Sequence, residues 1–193
     1  MSKILIIFAH PNHDGHHGYF LKQCLKLIEE KGCEYELIDL YAIGYDPVLR
    51  PQELYSAGKK EVSEQNQDFQ KKIKDANRLL FIYPTWWSNM PAILKGWLDR
   101  VFVSGFGFIY KSGIPIGQLK GKKAAVFTAS GSPRIYSFFW TKERSLKILT
   151  HDILHFCGIK TKSFRFGSAR QLNEQTQNGL KKIARRAISY LVY

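Results

Sequence analysis

The chain has 193 residues, enough for one domain with a sizeable core. Hydrophobic residues make up 45% and charged residues 23%, an ordinary globular balance, while aromatics at 14% are high. The formal net charge of +13 attracts anions of many kinds without choosing among them, and three widely spaced cysteines argue against a disulfide framework, a zinc site or an iron–sulfur cluster.

In chain order, Lys3–Ala9 reads as a buried strand. Its apolar run is far shorter than the roughly 20 residues of a membrane span. It is also too short for a signal peptide, so a cytoplasmic protein is expected. His17–Lys31 is helical, with Phe20, Leu21, Cys24, Leu25 and Ile28 on one face. Glu34–Leu40 is a strand, and Tyr41–Gln67 a long polar connection of the kind that is uncommon unless functional. Asp68–Ala76 is a short helix, Arg78–Tyr83 a strand, and Pro91–Phe102 a helix with proline in its first turn. Lys123–Thr128 is a strand, Thr141–Cys157 a helix ending at Gly158, Thr161–Phe166 a strand and Asn173–Leu191 a closing helix. Strands alternating with helices predict an α/β fold: a doubly wound five-stranded parallel sheet, order 2-1-3-4-5, with helices on both faces. No linker-like shift in composition divides residues 1–193, so a single domain is expected. Ligands in such sheets bind beyond the carboxyl ends of the strands, which directs attention to the loops after Ala9, Tyr83 and Thr128.

The first loop runs from His10 to Gly18 and leads into a helix N-terminus, an anion site by its free N–H groups. It has neither the glycine fingerprint of a Rossmann fold nor a P-loop lysine. Its four histidines leave three readings open: phosphate contact, plain solvation, or a metal site, the last lacking a second cluster of ligands. The second loop, Pro84-Thr85-Trp86-Trp87-Ser88, sets two tryptophans between prolines. A flat ring such as isoalloxazine needs an apolar wall and backbone N–H groups, and this loop offers both; packing against the core or a second subunit is the other reading. The third loop, Thr128-Ala129-Ser130-Gly131, allows close backbone approach, and Tyr136 beyond it offers a phenol for proton donation.

The segments IIFAHPN, YPTWWSNMPAILKGWLDRVF, GFGFIY and TASGS followed by Tyr136 resemble the flavodoxin-like NAD(P)H:quinone oxidoreductases. That family includes DT-diaphorase-like quinone reductases, modulator-of-drug-activity proteins and ancillary subunits of potassium efflux systems. The resemblance implies a flavin, FMN with FAD as the alternative, reduced by NADPH or NADH and reoxidised by a quinone-like acceptor. By the same resemblance, His10, His16 and His17, with Tyr19 behind them, face the flavin phosphate. Pro84, Thr85, Trp86, Trp87 and Ser88 hold the ring and ribityl chain, and Thr128, Ala129, Ser130 and Gly131 the ring's polar edge. Tyr136 stands at the catalytic position, and Phe106 and Phe108 line the nicotinamide and quinone pocket. Some relatives follow the tyrosine with a histidine; Ser137–Lys142 has none, which leaves proton handling to Tyr136 or to water.

The resemblance also implies a homodimer and leaves a second function open, that of a regulatory subunit of a membrane potassium efflux system. The basic C-terminal stretch supports that alternative: Lys142–Tyr193 has eleven Lys/Arg against three Asp/Glu. Leu180, Ile183, Ala184, Ala187, Ile188 and Leu191 form an apolar stripe on the last helix, which either docks on the sheet or meets a membrane or partner. Net charge alone speaks for nucleic acid, and no recognition motif joins it.

Overall fold

The computed structural model describes residues 3–54, 61–132 and 143–193. The elements are β1 (Lys3–Phe8), α1 (His16–Glu30), β2 (Glu34–Asp39), α2 (Glu64–Asp75), β3 (Arg78–Pro84) and α3 (Ala92–Val101). They continue with the hairpin β4 (Phe108–Lys111) and β5 (Ile114–Gly117), then β6 (Lys123–Ala129), α4 (Arg144–Lys147), β7 (Lys160–Phe166) and α5 (Glu174–Val192). The main sheet has the order β2-β1-β3-β6-β7 with every neighbouring pair parallel. Counted within that sheet, this is the expected 2-1-3-4-5 order.

The sequence explains the positions. β1, β3 and β6 are apolar at successive residues because both faces of a central parallel strand are covered. The edge strands β2 and β7 carry Glu34, Glu36, Lys160 and Lys162, charges that discourage further strand pairing. α1 and α5 cover one face, with Phe20, Cys24 and Ile28 packed in one cluster with Leu180, Ala184 and Ile188. α2, α3 and α4 cover the other through Phe69, Ile73, Leu94, Trp97 and Leu146. The α5 stripe is therefore occupied: Leu180, Ala184, Ala187, Ile188 and Leu191 are all fully buried. No helix among the described residues is long and apolar enough to cross a membrane.

Several boundaries differ from expectation. α2 starts at Glu64, four residues before Asp68, because Ser63 caps it: its Oγ accepts from the Asn66 N–H at 3.3 Å. Beyond α4, the helix widens to π-type winding through Ile148–His155. The β4–β5 hairpin is absent from the pattern reading. Its two-residue turn, Ser112 (φ 53°) and Gly113 (φ 78°), has both residues at positive φ, as a type I′ turn requires. Part of the long connection after β2 is anchored rather than loose. Arg100 of α3 donates from Nε to both oxygens of Glu53, at 2.9 and 3.1 Å, and from Nη1 to the Asp46 carbonyl.

Candidate active site

The three loops at the carboxyl ends of β1, β3 and β6 meet. A cavity of about 230 Å³ is lined by His10, His16 and His17 from the first, Pro84, Thr85 and Trp86 from the second, and Ala129, Ser130 and Gly131 from the third. Gly15 and Ala169 complete it. A second cavity of about 380 Å³ shares Thr85, Ser130 and Gly131 with the first and adds Trp87, Ser88 and Thr128. Ser132, Glu143, Ser145, Leu146 and Arg165 also line it.

α1 begins at the first cavity with an open end. Its N-cap, Gly15, makes no side-chain cap, and its first turn holds no acidic residue. The first N–H groups of a helix lack intrahelical partners, and the macrodipole adds positive potential there. His16 lines the cavity, with its ring 5.8 Å from that of Phe166. Unpartnered N–H groups at an uncapped helix start beside a cavity are the donor set a phosphate would satisfy.

The four histidines of the loop separate. His13 Nε2 contacts Asp39 Oδ2 at 2.5 Å, and its ring stacks on Phe8 at 4.6 Å. Asp39, 8% exposed, also accepts from the N–H groups of Tyr41 and Ala42, so it ties the loop to the end of β2. His10 stacks on His17 at 4.7 Å. His17 is buried, and desolvation together with neighbouring His10 and His16 pushes its pKa down to about 3. Its neutral ring accepts from the Ala129 N–H at Nε2, 3.3 Å away, and donates to the Tyr83 carbonyl. Burial also lowers the pKa of His10 and His16. Among the described residues no three His, Cys, Asp or Glu side chains are placed to hold a metal ion.

The second loop is a tight turn. Trp86 and Asn89 exchange both backbone hydrogen bonds, at 3.0 and 2.9 Å. This forces Trp87 (φ 49°) and Ser88 (φ 58°) into the left-handed region, which costs about 1–2 kcal/mol for each non-glycine residue. The turn leaves Trp87 fully exposed at 102% beside the second cavity. The strained turn presents the indole to water beside the cavity and not to the core. Below it, Thr85 Oγ1 meets Thr128 Oγ1 at 2.8 Å and donates to Ser145 Oγ at 3.2 Å. Tyr83 OH donates to the Ser145 carbonyl at 2.8 Å. These bonds fix the spacing of the second and third loops.

Other expected site residues stand elsewhere. Tyr19 packs against the α1–α5 cluster and lines neither cavity. Phe106 is 5% exposed and meets Phe102 edge to face at 6.1 Å in the core. Phe108 lines a third space, an apolar groove of about 830 Å³, together with Leu54, Leu98, Tyr110 and Phe156. Tyr136 lies outside the described residues. The sequence reading missed Ser145, Glu143 and Arg165. The signal for Arg165 was a lone cation between Phe164 and Phe166 at the carboxyl end of the last strand.

An uncapped helix start facing three strand-end loops of a 2-1-3-4-5 sheet defines the flavodoxin-like class of α/β protein. The protein family described as having a flavodoxin-like fold matches residues 2–191, and the chain belongs to it. An uncharacterized NAD(P)H oxidoreductase of Haemophilus influenzae is 32% identical over 183 residues, 93% of this chain and 91% of that protein. The NAD(P)H:quinone oxidoreductase of Methanothermobacter marburgensis superposes with a TM-score of 0.87 at 27% identity, covering 100% of this chain and 98% of that one. General stress protein 14 of Treponema denticola, solved in complex with FMN, superposes with a TM-score of 0.63 at 25% identity, covering 99% and 98%.

Proposed function

We propose that the protein is a flavin-dependent NAD(P)H oxidoreductase that binds FMN in the joined cavities and passes hydride from NAD(P)H to a quinone-like acceptor. The observation that carries this reading is the uncapped start of α1, opening into a cleft walled by an exposed tryptophan and two small-residue loops. The N–H groups of the first turn of α1, with His16, hold the phosphate. His17 stays neutral and holds that turn against the ends of β3 and β6. The Trp86–Asn89 turn supplies an aromatic wall, and Thr128–Gly131 brings backbone donors to the polar edge of the ring. Bound FMN would supply the two-electron chemistry, accepting hydride from the nicotinamide and delivering it to the quinone. The family resemblance makes Tyr136 the proton donor of this reading.

A homodimer is part of this reading. The groove lined by Leu54, Leu98, Phe102, Phe108, Tyr110 and Phe156 is an apolar surface suited to a second copy. A cytoplasmic location also belongs to it. The test is NADPH- or NADH-dependent reduction of a simple naphthoquinone by protein stripped of flavin. Turnover that appears on adding FMN and is lost without it supports the reading. No turnover with FMN, FAD or either nicotinamide rejects it.

A further inference from the structure

We propose that Arg165, paired with Glu143, tunes the reduction potential of the flavin through Ser130 in the third loop. The inference rests on the flavoenzyme reading above and assigns a positioning role to a residue outside the three loops. In the β6–β7 ladder, Arg165 lies opposite Thr128, at the carboxyl end of the sheet. Its side chain is 8% exposed and lines the larger cavity. Nη2 donates to Ser130 Oγ at 3.1 Å. Glu143, whose side chain is 29% exposed, lies 3.9 Å from Nη1 and lines the same cavity. Ser130 lines both cavities, and its backbone N–H and carbonyl bond Phe166 and Ala169 at 3.1 and 3.0 Å.

A guanidinium keeps its charge at every working pH. Buried under one wall of the cleft, it acts through a medium of lower dielectric than water, so its field reaches a neighbouring ligand with little screening. Hydride uptake adds two electrons and one proton to the flavin, which becomes one unit more negative unless a second proton follows. A fixed positive charge therefore favours the reduced form over the oxidised one, and Glu143 opposes it. The hydrogen bond to Ser130 also holds the third loop at the height set by β7. The pair is thus an electrostatic element of opposed signs.

That opposition makes the test. The midpoint potential of the FMN-loaded protein is measured without oxygen against reference dyes for wild type, Arg165→Gln, Arg165→Lys and Glu143→Gln. Arg165→Gln is expected to weaken reduced FMN about tenfold relative to oxidised FMN, which lowers the potential by about 30 mV for a two-electron couple. Glu143→Gln is expected to raise it, and Arg165→Lys to recover most of the wild-type value. Shifts of the same sign for Arg165→Gln and Glu143→Gln, or no shift in either, overturn the proposal. Where Arg165→Gln does not fold, Glu143→Gln decides by its sign: a rise supports the proposal, and a fall or no change rejects it. Wild-type protein that takes up no flavin defeats the flavoenzyme reading itself, whereas wild type that binds FMN with potentials indifferent to these charges defeats only this inference.

Discussion

His17 Nε2 lies 3.3 Å from the backbone nitrogen of Ala129, joining the first turn of α1 to the last residue of β6. The bond holds two of the three ligand loops in place, and it requires an unprotonated ring.

Stability should therefore fall in acid. The folded-state pKa of His17, about 3, is below the ordinary value of 6.5. Between those values the unfolded chain binds the proton and the folded chain does not, so stability is full above about pH 6.5 and declines as pH falls toward 3. At pH 4.5 the loss from His17 is on the order of 2–3 kcal/mol. His10 and His16, also lowered by burial, act in the same direction. Urea unfolding at pH 7.5 and 4.5 reads the difference, and His17→Gln should flatten it.

Gly18 should tolerate no side chain. A Cβ there would lie 1.8 Å from the His13 carbonyl oxygen, where the first loop crosses α1. Gly18→Ala must displace the loop that Asp39 and His13 anchor, so a stability loss of about 2 kcal/mol and weaker FMN binding are expected. Gly15→Ala is the control for stability, because its Cβ meets nothing within 4 Å. Thermal melts of both variants and an FMN titration of Gly18→Ala check this.

Trp87 should separate binding from stability. With its side chain fully exposed, Trp87→Ala has little packing to lose and should change stability by no more than about 0.5 kcal/mol. Loss of a stacking surface should weaken FMN about tenfold, or about 1.4 kcal/mol. Equal losses in both measurements would assign the indole to the fold.

Phe156 should control self-association. It is 40% exposed, meets Phe108 at 5.0 Å edge to face, and lines the apolar groove. Phe156→Glu places a charge on that surface and should convert a dimer to a monomer in sedimentation equilibrium. A wild-type protein that is already monomeric contradicts the homodimer.

Much of this was legible in the sequence because parallel strands buried on both faces leave continuous apolar runs. Ile4–Ala9 and the apolar run Leu79–Tyr83 mark the sheet without help from tertiary contacts. The positions of the three loops follow from those strands. What escaped depends on relations between distant segments. The separate fates of His10, His13, His16 and His17 are set by Asp39, Phe8 and Ala129, none of which the loop itself reveals. The pocket role of Phe106 comes from the family resemblance alone, and its packing against Phe102 depends on contacts the sequence does not show. Arg165 gains its place from the β6–β7 register, which sets it opposite Thr128. The hairpin turn at Ser112–Gly113 is the exception: it escaped the reading although its Ser-Gly pair is a local turn signal.

The central claim is that the three loops hold a redox-active flavin. Its most direct test is the absorbance of the FMN-reconstituted, gel-filtered protein between 300 and 550 nm, before and after one equivalent of NADPH or NADH without oxygen. The account predicts a protein-bound flavin spectrum that bleaches with nicotinamide and returns on adding a quinone. Protein that emerges colourless after incubation with either flavin, or bound flavin that neither nicotinamide reduces, would contradict it.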